Sequence, residues 1–170
     1  MTKDEIATSR ILIIGCPGSG KSTFARKLAT LTGLPLYYLD LLWHKADRTT
    51  VSREEFDIEL DRILQRDKWI IDGNYTRTLR HRIKMCETVF LFDLPTEVCI
   101  EGVKQRIGRK RPDMPWVERE LDEDFRQWIL NFRKEQLPEI RSILSERGAH
   151  VKLIIFRSRL EADAYIGSPA

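Results

Sequence analysis

The stretch ILIIGCPGSGKST, from Ile11 to Thr23, constrains this chain more than any other. Gly15, Gly20, Lys21 and Ser22 fit the spacing G-x4-G-K-[ST]. Glycines open backbone torsions closed to other residues and let main-chain N–H groups face an anion. A helix that begins near Lys21 turns its positive dipole end to the same place. The lysine can reach outer phosphates, and the Ser22 hydroxyl can ligate Mg2+. Gly18, Ser19 and Thr23 belong to the same cradle. The setting agrees with the pattern, because an apolar run precedes the loop and an amphipathic stretch follows it.

Short apolar runs alternate with helical patterns along the rest of the chain, the mark of an α/β fold with a mostly parallel sheet. Ile11 to Ile14 reads as a buried first strand. A helix from Lys21 to Leu31 sets Phe24, Leu28 and Leu31 on one face, with Gly33 as its C-cap. LPLYYLD reads as a second strand ending at Asp40. Ser52 and Glu55 form a capping box for a helix whose buried stripe is Phe56, Leu60, Ile63 and Leu64. KWIID and TVFLFD are strands ending at Asp72 and Asp93. A helix runs from Pro95 to about Ile107, and GRKRPDMP breaks the pattern with a basic cluster. The spacing of Leu121, Phe125, Trp128, Ile129 and Phe132 predicts a long helix from about Trp116, interrupted or restarted at Pro138. HVKLIIF is a fifth strand, followed by a short helix. The expected architecture is one domain over residues 1–170, a three-layer sandwich with a five-stranded parallel sheet and a lid over about 106–125.

Ligands of parallel sheets bind at the carboxyl ends of the strands. Asp40, Asp72 and Asp93 all fall there. Asp72 and Asp93 each follow an apolar run, as a metal-shell aspartate does. Asp72 is preferred, since the glycine in DGNY permits close approach and Asn74 and Tyr75 add polar contacts. Asp40 is placed to orient or deprotonate an acceptor hydroxyl, with Trp43 beside it. Phosphoryl transfer needs positive charge on the moving group. Arg77, Arg80 and Arg82 form one candidate cluster, and Lys104, Arg106, Arg109, Lys110 and Arg111 another. Gly108 and Pro112 give the second the mobile connection a lid requires. A short basic loop also suits a nucleic-acid backbone.

Composition narrows the classes. The 170 residues carry 42% hydrophobic and 32% charged side chains and a net charge of +3. That charge is too small to argue for nucleic acid or membrane. No run of about 18 apolar residues is present, and MTKDEIATSR lacks the apolar core of a signal peptide. Cys16, Cys86 and Cys99 have no CxxC pairing and read as free thiols of a cytoplasmic protein. His44, His81 and His150 have no metal-ligand spacing.

At DGNYTRT the chain resembles the adenylate-kinase-like group of P-loop kinases, whose corresponding segment is Asp-Gly-Phe-Pro-Arg-Thr. VFLFDLPTEVCIEGVKQRIGRKR is similar to that group's fourth strand, following helix and start of lid. YLDLLW, WIIDGNY, RPDM and FRSR resemble the proteins named DNA topology modulation proteins over nearly the whole length. The resemblance implies the strand order 2-3-1-4-5, with ATP and Mg2+ at the loop; the loop motif and the strand ends put Ser22 and Asp72 on the metal. It implies Arg106 on the adenine, Arg109 on the phosphates and Arg77 on an acceptor phosphate. The chain departs where DGFP has become DGNY. Two functions follow as expectations. The first is a phosphotransferase in which Lys21, Asp40, Arg106 and Arg109 carry the chemistry and Asp40, Trp43, Asn74, Tyr75 and Arg77 line an unidentified small-molecule acceptor. The second is an ATP-dependent regulator associated with nucleic acid, which a continuous basic surface joining Arg77, Arg80, Arg82 and the lid would favour.

Overall fold

The computed structural model describes residues 9–167. MTKDEIAT and the last three residues lie outside that range. Five parallel strands, β1 (Arg10–Gly15), β2 (Leu36–Tyr38), β3 (Trp69–Asp72), β4 (Thr88–Phe92) and β5 (Lys152–Phe156), form one sheet in the order β2-β3-β1-β4-β5. This is the expected order. The central strands β1, β3 and β4 are buried almost throughout, which is why they read as unbroken apolar runs rather than alternating ones.

The helices are α1 (Lys21–Thr32), α2 (Leu39–Trp43), α3 (Arg53–Leu64), α4 (Thr76–Met85), α5 (Thr96–Arg106), α6 (Glu123–Ser145) and α7 (Arg159–Tyr165). Right-handed crossovers place them. The step from β1 to β2 runs one way across the sheet, and every later step runs the other way. So α1 covers one face, and α3, α4, α5 and α6 the other. Phe24 of α1 packs edge-on against Phe90, Phe92 and Phe156, and Tyr165 of α7 joins this aromatic cluster. On the opposite face α6 packs on α4 and α5.

Four expectations change. First, the second strand stops at Tyr38, not Asp40, because its partner β3 ends at Asp72 in register with Tyr38. With no ladder left to join, the chain turns into α2, where the His44 N–H donates to the Asp40 carbonyl at 2.9 Å. Second, the long helix begins at Glu123 rather than near Trp116. Asp122 is its N-cap, accepting from the Phe125 N–H at 2.9 Å, and residues 107–122 form neither helix nor strand. Third, α6 continues through Pro138. The proline is exposed and so is Lys134, whose freed carbonyl water can satisfy. Leu137, Ile140, Ile143 and Leu144 stay buried around it. Fourth, Leu31 is 44% exposed and is not part of the buried stripe of α1. The Gly33 cap and the Ser52–Glu55 capping box are as expected.

Candidate active site

β1 ends at Gly15, and the loop from Cys16 to Gly20 delivers the chain to the N-terminus of α1. The loop lies hard against α5. A Cβ on Gly18 would sit 2.0 Å from the Cys99 carbonyl oxygen, and one on Gly102 would sit 2.1 Å from the Gly18 carbonyl oxygen. Only hydrogen fits on either side of this contact. From α7, Arg159 donates to the Gly18 carbonyl at 2.8 Å. The phosphate loop is thus fixed by α5 and α7, neither of which its sequence mentions.

Ser22 and Asp72 meet directly. The Ser22 hydroxyl donates to Asp72 Oδ2 at 2.5 Å. Asp72 is 4% exposed, and its other oxygen, Oδ1, has no hydrogen-bond partner among the described residues. Burial pushes the carboxyl up to about 6, against the opposing pull of Lys21 and the Ser22 bond. A buried acid with a free oxygen beside a hydroxyl is a donor set that fits Mg2+. Asp93 differs. Its Oδ1 also lacks a hydrogen bond among the described residues, but its buried carboxylate is paired with Arg141 at 2.6 Å, Arg157 at 2.7 Å and Arg133 at 3.4 Å, so its charge is already balanced.

Two cavities open on this centre. One, of about 480 Å3, borders Lys21, Thr23, Arg109, Lys110 and Arg159. The other, of about 930 Å3, borders Asp40, His44, Asn74, Tyr75, Trp116 and Trp128. Lys21, Ser22, Arg106, Arg111 and Asp113 line both. Those residues mark where a group could pass from one cavity to the other. Arg106 and Arg111 both pair with Glu118, at 3.2 and 3.0 Å, and Arg111 also pairs with Asp113 at 2.7 Å. The Gly108 N–H donates to the Glu118 carbonyl at 2.7 Å and folds the segment back on itself.

The sequence-derived acceptor residues divide. Asp40 and Tyr75 face the larger cavity, and the Tyr75 phenol donates to Asp40 Oδ1 at 2.8 Å. Asn74 borders that cavity, but its amide is committed to the phosphate loop, accepting from the Gly15 N–H at 2.9 Å and donating to the Gly15 carbonyl at 2.8 Å. Trp43 packs edge-on against Phe56 and Tyr75 behind the cavity wall. Arg77 is on the surface in a two-pronged pair with Asp57, at 2.6 and 2.9 Å, and borders neither cavity. Arg80 pairs with Glu146, and Arg82 is completely buried. The continuous basic surface that a nucleic-acid role would need is therefore not formed by these three.

Some residues at the centre escape a reading of the sequence alone. Arg111 was one of a cluster, with nothing to single it out, yet it lines both cavities while Arg109 borders only the smaller. Arg82 could have been found. It falls between Leu79 and Ile83 on the buried stripe of α4, where a solvated arginine has no place.

The fold is that of shikimate kinase and gluconokinase. The chain is similar to shikimate kinase from Bacteroides thetaiotaomicron with a TM-score of 0.64 and 15% identity, covering 94% of this chain and 95% of that one. It is similar to shikimate kinase from Acinetobacter baumannii, solved in complex with shikimate, with a TM-score of 0.59 and 19% identity over 96% and 94%. A gluconokinase from Sinorhizobium meliloti 1021 gives a TM-score of 0.52 and 16% identity over 94% and 91%. No family model matches the chain, and no curated protein matches it in sequence. The resemblance to DNA topology modulation proteins therefore rests on its motifs. Among the described residues no helix is long and apolar enough to cross a membrane.

Proposed function

We propose that this protein is an ATP-dependent kinase that phosphorylates a hydroxyl of a small molecule. The observation that carries the reading is the shared wall of the two cavities, where Lys21, Ser22, Arg106 and Arg111 converge. Phosphoryl transfer asks the protein for little except positioning and neutralisation of charge. A donor cavity and an acceptor cavity that meet at a lysine and two arginines supply both. The kinase neighbours support the same reading.

In this reading ATP occupies the smaller cavity, with its phosphates on residues 15–23. Lys21 reaches the outer phosphates, and Arg109 and Lys110 border the nucleotide. Ser22 and Asp72 would hold Mg2+, which supplies neutralising charge to the phosphates when bound. The acceptor occupies the larger cavity with a hydroxyl against Asp40. Asp40 takes the hydroxyl proton as the oxygen bonds to the γ-phosphorus, and the bond from that phosphorus to the bridging oxygen breaks to release ADP. Arg106 and Arg111 stabilise the negative charge of the moving group. The rings of Trp116, Trp128 and Tyr75 give the acceptor cavity apolar walls beside its carboxylate.

Incubation with γ-labelled ATP and Mg2+ tests this against a panel of shikimate, gluconate, nucleosides and nucleoside monophosphates. The wild type should label at least one acceptor, and Lys21→Ala should label none above background. An ATPase that labels no acceptor but is stimulated by DNA would overturn the reading in favour of the regulator.

A further inference from the structure

The three residues after Asp72 form a strap between the two halves of the site. Gly73, Asn74 and Tyr75 link the end of β3 to α4. Their carbonyls all point at one side chain. Arg82, wholly buried, donates Nη1 to the Gly73 carbonyl at 3.0 Å and Nη2 to the carbonyls of Asn74 and Tyr75. Its Nε reaches the Thr78 hydroxyl at 3.2 Å. Three consecutive carbonyls of one strand-to-helix turn thus converge on a single planar guanidinium, a geometry only arginine provides.

This arrangement fixes an unusual backbone. Tyr75 has φ 38 and ψ 63, in the left-handed region that bulky residues avoid. Such a torsion persists only where its surroundings dictate it. The ring is then stacked on Phe56 with centroids 5.2 Å apart and edge-on to Trp43 at 6.4 Å. From that seat the phenol meets Asp40 at 2.8 Å. Asn74, one residue earlier, fastens the strap to Gly15 by two hydrogen bonds.

We propose that Tyr75, set in its left-handed conformation by Arg82, is the positioning residue that aims the Asp40 carboxylate at the acceptor hydroxyl. The strap therefore ties the acceptor base to the phosphate loop, so that both ends of the transfer share one rigid turn. Tyr75 takes no proton from the acceptor. It occupies Asp40 Oδ1, and Asp40 itself borders the cavity. Burial and the adjacent Asp40 charge push the phenol well above its usual range, so it remains a donor at every working pH. The proposal rests on the kinase reading for its meaning, but the contact itself does not.

Two measurements on the full-length chain separate these. The first uses carbon-13 at the tyrosine Cζ and needs no acceptor. The resonance lost in Tyr75→Phe belongs to Tyr75, and Asp40→Ala should move it while leaving that of Tyr165 in place. An unmoved resonance removes the contact and the proposal with it. The second is kinetic and uses the panel compound that the wild type labels fastest. Tyr75→Phe keeps the ring on Phe56 and should lower kcat about 10-fold, with KM for ATP within about 2-fold of wild type. It should cause no further loss in an Asp40→Ala background. Unchanged kcat in Tyr75→Phe overturns the positioning role although the kinase reading stands. A wild type that labels no compound sinks the kinase reading, and this role for Tyr75 with it, even where the resonance shows the contact.

Discussion

If Asp72 holds Mg2+ as proposed, stability and function place opposite demands on it. Its folded carboxyl titrates near 6 because it is buried, above the ordinary value near 3.9 that the unfolded chain shows. Below both values the group is neutral in either state and costs nothing. As pH rises through the folded value the native state must hold a buried charge, and stability falls by about 3 kcal/mol. Asp72→Asn should therefore raise the melting temperature of the nucleotide-free protein by roughly 6–12 °C at pH 7 to 8. The gain should vanish near pH 4, which a melting series across pH would show. The same variant should lose about 100-fold in Mg-ATP-dependent transfer, while Asp93→Asn loses little transfer and leaves three arginines without their carboxylate. The reverse order, with Asp93→Asn losing far more transfer than Asp72→Asn, would move the metal role to Asp93. A similar contrast applies to the arginines. Arg111 lines both cavities and Arg109 only one, so Arg111→Ala should cut kcat about 100-fold or more. Arg109→Ala should act chiefly on KM for ATP. Initial rates over a range of ATP concentrations distinguish them. Lys21 was legible because it sits in a fixed pattern, whereas Asp72 shared its apolar-run signal with Asp93 and was preferred only for the DGNY that follows it. Arg111 was not legible, since one positive charge among five has no local mark, and only folding of residues 107–122 turns it inward.

Elements were legible where burial wrote them into composition. The strands Ile11 to Ile14, Trp69 to Asp72 and Thr88 to Phe92 are apolar because both faces of the sheet are covered. The capping box announced α3. The segment before α6 misled, since Leu121 shares a helical spacing with Phe125 and Trp128. Yet Leu121, Phe125 and Trp128 all border the large cavity, so the cavity wall, not one helix, explains their apolarity. The acidic first turn of Glu123 and Asp124 after Asp122 was the better sign. Pro138 misled in the other direction. A proline inside a helix costs about 3 kcal/mol at an ordinary position, but here the lost bond faces water and buried leucines and isoleucines flank it. The helix absorbs the cost through tertiary packing. Pro138→Ala should then stabilise the protein by about 1–2 kcal/mol, read as a higher urea midpoint with an unchanged slope. A lower midpoint would mean that the proline sets a bend on which α6 packing depends.

At the scale of the molecule, one chain of ion pairs joins the donor side to the segment above it. Arg26 of α1 pairs with Asp113 at 3.5 Å, Asp113 with Arg111, Arg111 with Glu118, and Glu118 with Arg106 at the end of α5. These carboxylates occupy the very arginines that a polyphosphate would recruit. Arg106 and Arg111 are mostly buried, with side chains 19% and 17% exposed, so their charges are poorly screened by water and an incoming phosphate competes directly with Glu118 and Asp113. Binding should exchange those pairs for phosphate contacts and draw residues 107–122 down over the nucleotide, which excludes water from the transfer. Hydrogen exchange measured with and without a non-hydrolysable ATP analogue and Mg2+ tests this. Amides of 107–122 should slow by about 10-fold on binding, those of β1 and β4 should not change, and Lys21→Ala should show neither binding nor slowing. Protection confined to residues 15–23, with binding confirmed by calorimetry, would mean that the segment stays where it is and that Arg106 and Arg111 remain with their carboxylates.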